Sequence, residues 1–357
     1  MFYRRAGIRH TSYRGERRLW PLPFDRGLVA GVALLLIVAP LAVERLYLVG
    51  YLMPWIIWST AALGLNFLMG GAGQIHLGYG AIIAIGAYAS THLARAGVPF
   101  GIAVLGGGLA AAVIGSAFGA TALRVKGLYL AMATLAMQSV VDFIITHAPW
   151  ISGGGQATLT VPPARFLGAD LTGDLAAYYV ALLVCLAITL FVLNVGRSSL
   201  GRALAAVREK DYAAAVIGVD PFRYKLLAFW VSSFIGGVAG AVLAFCYYRA
   251  ISPDQFHLDL SIQLVAMVIV GGLGSVLGPF FGAALILFAP ILLNQAVGAL
   301  ATAFGLGISA DLRAHLPLVL YGALIMGFLL AEPLGLAKIY DNVRKYFLVW
   351  PFRHAPR

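Results

Sequence analysis

GRSSLGRALAAVREKDYAAAVIGVDPFRYK, residues Gly196 to Lys225, is the one long charged stretch between the two ends of an otherwise apolar chain. It holds Arg197, Arg202, Arg208, Lys210, Arg223 and Lys225, six of the 25 basic residues, against Glu209, Asp211 and Asp220. Its apolar residues keep helical spacing. Leu200, Ala203, Leu204 and Val207 fall at i, i+3, i+4 and i+7, one face of a helix that Ser198 or Ser199 can cap. Arg202, Ala205, Arg208 and Glu209 lie off that face. Asp211 can cap a second helix, Tyr212 to Ile217, which Gly218 can end, and Pro221 discourages continuation. The small residues Ala205, Ala206, Ala213, Ala214 and Ala215 let another protein approach closely, whereas a helix lying on a membrane usually carries larger apolar side chains.

Outward from this segment the chain turns oily. Of its 357 residues 61% are hydrophobic and only 11% charged, against about 25% charged in ordinary soluble domains. Apolar runs of near-membrane length recur, continuous rather than alternating, so they read as helices. Six precede the segment, over 27–43, 47–69, 76–94, 99–123, 127–147 and 176–195. Four follow, over 226–248, 260–272, 276–297 and 315–331, of which 260–272 is short for a bilayer core of about 30 Å. The expected fold is an all-α polytopic membrane protein of about ten transmembrane helices, with a short two-helix segment between spans six and seven.

Charge orients it. Ten spans put both termini on one side, together with 20 of the 25 basic residues, so that side is cytoplasmic. The net charge of +11 therefore follows membrane topology, not a nucleic-acid partner. The expected organisation is a basic cytoplasmic tail over 1–26, a transmembrane domain over 27–331 and a basic cytoplasmic tail over 332–357. The first apolar run is too long for a signal-peptide core and no cleavage site follows it, so it reads as an uncleaved span. The longest loop on the other face, 148–175, carries Ser152-Gly153-Gly154-Gly155-Gln156 and Pro162-Pro163, and a shorter one covers 249–259. Both are placed to meet a partner or ligand, or serve only as connectors.

Catalytic motifs are missing. There is no Gly-Lys dipeptide and so no phosphate-binding loop of the G-x-x-x-x-G-K type, no H-E-x-x-H and no G-x-S-x-G. The seven His are scattered, no metal-ligand spacing exists, and Cys185 and Cys246 read as buried thiols inside spans. Polar residues within the spans are the remaining candidates. Thr134, Gln138 and Asp142 form an i, i+4, i+8 stripe on span five, extended by Thr146. They are either a polar wall of a solute pathway or inter-helix hydrogen bonds. Asn66, Gln74 and His76 surround a glycine-rich break at Gly70-Gly71-Ala72-Gly73, where they either meet solute or satisfy freed backbone. A weak internal similarity relates that break to Gly271-Gly272-Leu273-Gly274. Trp55, Trp58 and Trp150, at span ends, read as interface anchors.

Four blocks together carry a family resemblance. LGLNFLMGGAGQIHLGYGAIIAIGAYAS (Leu63 to Ser90), RVKGLYLAMATLAMQ (Arg124 to Gln138), GRALAAVREKDYAAAVIGVD (Gly201 to Asp220) and VGGLGSVLGPFFGAAL (Val270 to Leu285) resemble LivM-type permeases of bacterial branched-chain amino acid ABC importers. Ile75-His76-Leu77 and Tyr79 stand where that family more often has Leu-Ser-Leu and His. The resemblance implies a non-catalytic permease in the bacterial inner membrane, paired with a LivH-like permease. It implies two cytoplasmic ATPase subunits, which would bind the ATP, and a periplasmic binding protein that would deliver solute to the outer face. It carries Gly201, Arg202, Ala205, Arg208, Glu209, Ala213 and Gly218 over to the ATPase-coupling surface. The implied solute is a branched-chain or other hydrophobic amino acid, with urea, short amides or aromatic acids as alternatives. A stand-alone secondary transporter would need paired intramembrane charges, and Asp142 alone is a plausible deep one.

Overall fold

In a computed structural model the protein is described over residues 23–349, except for 43, 126, 154–157, 167–168, 171–172, 304–309 and 333. Most of the basic tail read over 1–26, together with Lys126, Gly154 to Gln156 and 350–357, lies outside the described residues. The helices are α1 (Pro23–Ala42), α2 (Arg45–Gly71), α3 (Tyr79–Arg95), α4 (Phe100–Ala122) and α5 (Leu128–His147). They continue as α6 (Asp174–Arg197), α7 (Ser199–Glu209), α8 (Asp211–Val216) and α9 (Pro221–Tyr248). The chain closes with α10 (Leu258–Gly271), α11 (Gly278–Ala303), α12 (Ala310–Ala331) and α13 (Leu336–Val349). Among the described residues, α2, α4, α5, α6, α9 and α11 include stretches long and apolar enough to cross a membrane. Each of the ten apolar runs has its helix, including the short one, which ends at Gly271 because Gly272 turns the chain with φ +111°.

α2 is the axis of the bundle. It packs against α6, α9, α10 and α11, and from Met53 to Asn66 all residues but Trp55 are buried. A helix apolar on every side belongs in such a position. A second layer joins α3, α4 and α9, where small residues replace side chains at the crossings. A Cβ at Gly107 would stand 2.6 Å from the Gly86 carbonyl, and one at Gly237 3.0 Å from that of Gly107. Close backbone approach of this kind is how helices associate without a hydrophobic driving force between them.

In α1 and α11 an internal proline frees a carbonyl, and both are met in the same way. Pro40 has no N–H for the Leu36 carbonyl four residues back. The Tyr178 hydroxyl, from α6, donates to that oxygen at 2.8 Å, and Tyr179 donates to Ile37 O at 3.0 Å. In α11, Pro290 frees Ile286 O, and Tyr321 of α12 donates to it at 3.4 Å. Inside lipid a freed carbonyl has no water to bond, so a hydroxyl from a neighbouring helix takes the role.

The two ends of the bundle differ. At one end α7 and α8 project. At the other, Leu159–Thr160 pairs antiparallel with Ala250–Ile251, tying the two outer loops together. There the Asp174 carboxylate bridges Arg45 and Arg249, the latter at 2.6 Å. Trp55 and Trp58 are not surface anchors. Trp58 is buried, and Trp55 donates to Phe280 O at 2.9 Å, so both lock α2 into the bundle. The 332–357 region, read as a tail, contains the amphipathic helix α13, which packs on α11.

If the Tyr178 hydroxyl serves the carbonyl that Pro40 frees, Tyr178→Phe costs about 1 kcal/mol of stability. In a Pro40→Ala background, where residue 40 donates its own N–H, that cost largely vanishes. Denaturant titration of the purified protein in detergent, as a double-mutant cycle, measures the difference.

Candidate functional site

The projecting segment folds as two short helices at right places for contact. The Ser198 hydroxyl accepts from Gly201 N at 3.4 Å and starts α7. Leu204 and Val207 are buried, Leu200 and Ala203 half-buried, and Arg202, Ala205, Arg208 and Glu209 exposed. α7 rests on α6 and α9. Asp211 opens α8 as its first helical residue, and its carboxylate pairs with Lys225 of α9 at 2.5 Å. Gly218 takes φ +87° and lets the chain turn into α9, capped by Asp220, which accepts from Phe222 N at 3.0 Å. Ala213 is exposed and Gly201 half-buried.

Three further residues on this segment were not among the sequence candidates. Tyr212, Val216 and Ile217 are 83, 70 and 72% exposed. Tyr212 and Val216 sit at i and i+4 on the outward side of α8 and Ile217 directly follows it, while Ala214 faces inward and is buried. Large apolar side chains presented to water in a charged segment mark an interaction surface. The signal was in the sequence, because α8 is too short to bury two faces.

Behind the segment, the two glycine-rich breaks touch. Gly70, in the last turn of α2, lies so close to Gly274 that a Cβ on it would overlap the Gly274 backbone. Asn66 holds the pair together. Its Oδ1 accepts from Gly274 N at 2.9 Å and its Nδ2 donates to Ser275 O at 2.8 Å. Arg208 reaches in from α7, and its Nη1 donates to Gly70 O at 2.5 Å. Gly335, just before α13, packs on Gly272. A cleft of about 360 Å³ opens here, lined by Gly73, Gln74, Arg208, Lys210, Asp211 and Lys225 among others. Gln74 itself is buried and donates to Ala72 O at 3.0 Å.

Thr134 and Gln138 serve the start of α3. The first turn of a helix has amides without internal partners. Gln138 Oε1 accepts from Ala81 N at 2.7 Å, and Ser261 Oγ accepts from Gly80 N at 2.7 Å while donating to Gln138 Oε1 at 3.0 Å. Gln138 Nε2 donates to Phe256 O at 2.8 Å, and Thr134 Oγ1 accepts from Leu77 N at 3.0 Å. The stripe thus binds α5 to α3 and to α10. His76 lies beside this cap, 1% exposed, against Tyr79 and Phe229, with neither ring nitrogen hydrogen-bonded among the described residues. Asp142, at the opposite end of the stripe, is half-exposed and accepts from His257 Nδ1 at 2.8 Å. Asp254 stands 3.4 Å from the other ring nitrogen. The hydrogen bond to Asp142 holds the His257 pKa above its ordinary 6.5, against a smaller opposing effect of burial.

A helical bundle with short helices broken at paired glycine turns, and two small helices projecting from one end, is the form of a multi-pass membrane permease. The chain belongs to the family of permease components of branched-chain amino acid transport systems, whose sequence profile matches residues 47–330. It is 32% identical over 244 residues to the high-affinity branched-chain amino acid transport permease LivM of Escherichia coli, covering 61% of this chain and 57% of that protein. A probable LivM of Methanocaldococcus jannaschii is 25% identical over 63% of this chain and 64% of its own length. The E. coli LivH permease is 25% identical over 63% and 78%. The chain therefore spans less than two thirds of the length of these LivM relatives. No solved structure matches it.

Gln138→Leu strips partners from Ala81 N, Phe256 O and Ser261 Oγ, and should cost about 2 kcal/mol, measured by denaturant titration in detergent. The His257–Asp142 pair predicts a pH dependence. A histidine whose pKa is raised on folding stabilises fully below about 6.5 and loses that contribution as pH rises through the folded value. The unfolding midpoint should fall above that point in the native chain, and the Asp142→Asn variant should show a flatter profile.

Proposed function

We propose that the chain is a permease subunit of an ATP-driven ABC importer in the bacterial inner membrane, forming half of a pathway for branched-chain or other hydrophobic amino acids. The observation that carries this reading is the family match over 47–330, read with the exposed two-helix segment in its middle. The LivM and LivH relatives are themselves permeases of branched-chain amino acid transport. The chain takes ten spans with both termini in the cytoplasm, an orientation supported by the 20-to-5 distribution of basic residues. It works beside a LivH-like permease, above two ATPase subunits that bind the ATP, and below a periplasmic binding protein.

On this reading the chain performs no chemistry. It contributes a shaped bundle with two openings and a handle. A loaded binding protein meets the loops joined by Leu159–Thr160 and Ala250–Ile251. ATP closes the ATPase dimer beneath, α7 and α8 move with it, and the helices rock between outward and inward openings. Tyr212, Val216 and Ile217 are the anchors that enter the ATPase surface, with Ala205, Ala213 and Gly218 allowing close approach and Arg202 and Glu209 on the rim. Buried apolar anchors supply most of an interface's energy, whereas rim charges chiefly set register.

The test is reconstitution. The chain, co-expressed with its permease partner and both ATPases, should bring the ATPases down in affinity purification. In vesicles with the binding protein it should support ATP-dependent leucine uptake at least ten-fold above vesicles lacking any one subunit. Paired Tyr212→Asp and Ile217→Asp changes should reduce ATPase recovery by at least ten-fold. Uptake by the chain alone, driven by a proton gradient and indifferent to ATP, would overturn the reading.

A further inference from the structure

We propose that Arg208 is a positioning residue of transport: it carries movement of the α7–α8 segment into the contact between the two glycine-rich turns, and does not bind the ATPase. The inference rests on the permease reading and goes further in dividing the segment between docking and transmission.

Arg208 begins on the exposed side of α7 yet turns inward. Three glycines make its channel. A Cβ at Gly73 would stand 3.2 Å from Arg208 Cγ, and one at Gly274 would stand 2.9 Å from Nη1, while Gly70 offers its carbonyl at 2.5 Å. Gly73 and Gly274 both have positive φ, at +68° and +81°, so the backbone itself curls around the guanidinium. Gly70 O belongs to the last turn of α2, where carbonyls lack intrahelical donors, and a charged guanidinium is a strong donor for such a group.

What lies beyond that carbonyl gives the contact its reach. Gly70 ends α2, the axis of the bundle. Gly274 belongs to the turn between α10 and α11. Asn66 fastens the one to the other with two hydrogen bonds, and Gly335 fastens α13 to the same turn. A displacement of α7 therefore acts through one side chain on α2 and on the α10–α11 turn together. The loop from Gly73 to Gly78, carrying the unpartnered His76, starts under the Arg208 stem and ends at the cap of α3. By contrast, Tyr212, Val216 and Ile217 turn their side chains to the outside. The docking face and the lever are separate groups one turn apart.

The experiment uses the complete complex in vesicles, with leucine and the binding protein as probes. Arg208→Ala should recover both ATPases in native amounts and keep basal ATP hydrolysis. Stimulation of hydrolysis by the leucine-loaded binding protein, and leucine uptake, should fall at least ten-fold. Arg208→Lys, which keeps the charge and most of the stem, should regain part of both. Loss of ATPase recovery in a folded Arg208→Ala complex would make Arg208 a docking residue and overturn the inference. So would stimulation and uptake within two-fold of the native complex. If Arg208→Ala cannot be isolated folded, Arg208→Lys decides: reduced uptake with intact ATPase recovery supports the role, and unchanged uptake removes it. A native chain that recovers no ATPase overturns the permease reading itself and this inference with it, and is told apart because no variant is needed.

Discussion

A backbone group freed inside a bilayer must find a partner within the protein, since lipid offers none. This chain frees many. Pro40 and Pro290 open α1 and α11, α2 widens to a π-helical turn over Phe67–Gly71, and α3 and α10 begin or end within the bundle. The described hydrogen bonds answer several of these breaks one for one. Tyrosine hydroxyls take the carbonyls that the prolines release, Gln138 and Ser261 take the first amides of α3, Arg208 takes a carbonyl at the end of α2, and Asn66 takes Gly274 N and Ser275 O in the α10–α11 turn. Much of the polar interior is spent on such backbone errands, His76 being an exception. A permease needs broken helices to move, and breaks are tolerable only where such partners stand ready.

That demand explains why the polar stripe on α5 had two readings before its surroundings were known. Thr134 and Gln138 at i and i+4 say only that one face of the helix meets something polar. The partner is the start of α3, more than fifty residues earlier, and no periodicity carries that distance. The same limit applied to Asn66, whose two bonds cross more than two hundred residues to Gly274 and Ser275. What periodicity does carry is local. The ten apolar runs, the short one before Gly272, the apolar face of α7 and the cap at Ser198 were all legible, because each depends on neighbours within a turn or two. The amphipathic helix α13 keeps helical spacing as well, but its charges fit a basic cytoplasmic tail equally.

The internal similarity between Gly70-Gly71-Ala72-Gly73 and Gly271-Gly272-Leu273-Gly274 gains meaning from contact. Two similar glycine turns far apart in a chain can serve their local bends independently. Here they press on each other, and a side chain at Gly70 would separate them. Glycine at both allows the backbones to meet, which makes the seam between the two turns thin, lets Asn66 bond across it and brings the Arg208 guanidinium to Gly70 beside Gly274. A seam of side chains would have been thicker and softer. Because interiors are close-packed, a thin seam behaves as a contact that is either made or broken, not one that stretches.

The polar segment in the middle of the chain is therefore not uniform. α8 turns apolar residues outward at a solvent-facing site, an arrangement with no use inside the monomer. α7 buries Leu204 and Val207 and sends Arg208 back into the bundle. The Lys225–Asp211 pair fixes the two short helices to the base of α9, so α8 cannot swing without taking α9 or breaking a partly buried ion pair. Rigid attachment is what a handle requires: force applied at Tyr212 or Ile217 reaches the seam only if the piece between them does not yield. Arg208, Asp211 and Lys225 thus join this stretch to the bundle, while its few large apolar residues face outward.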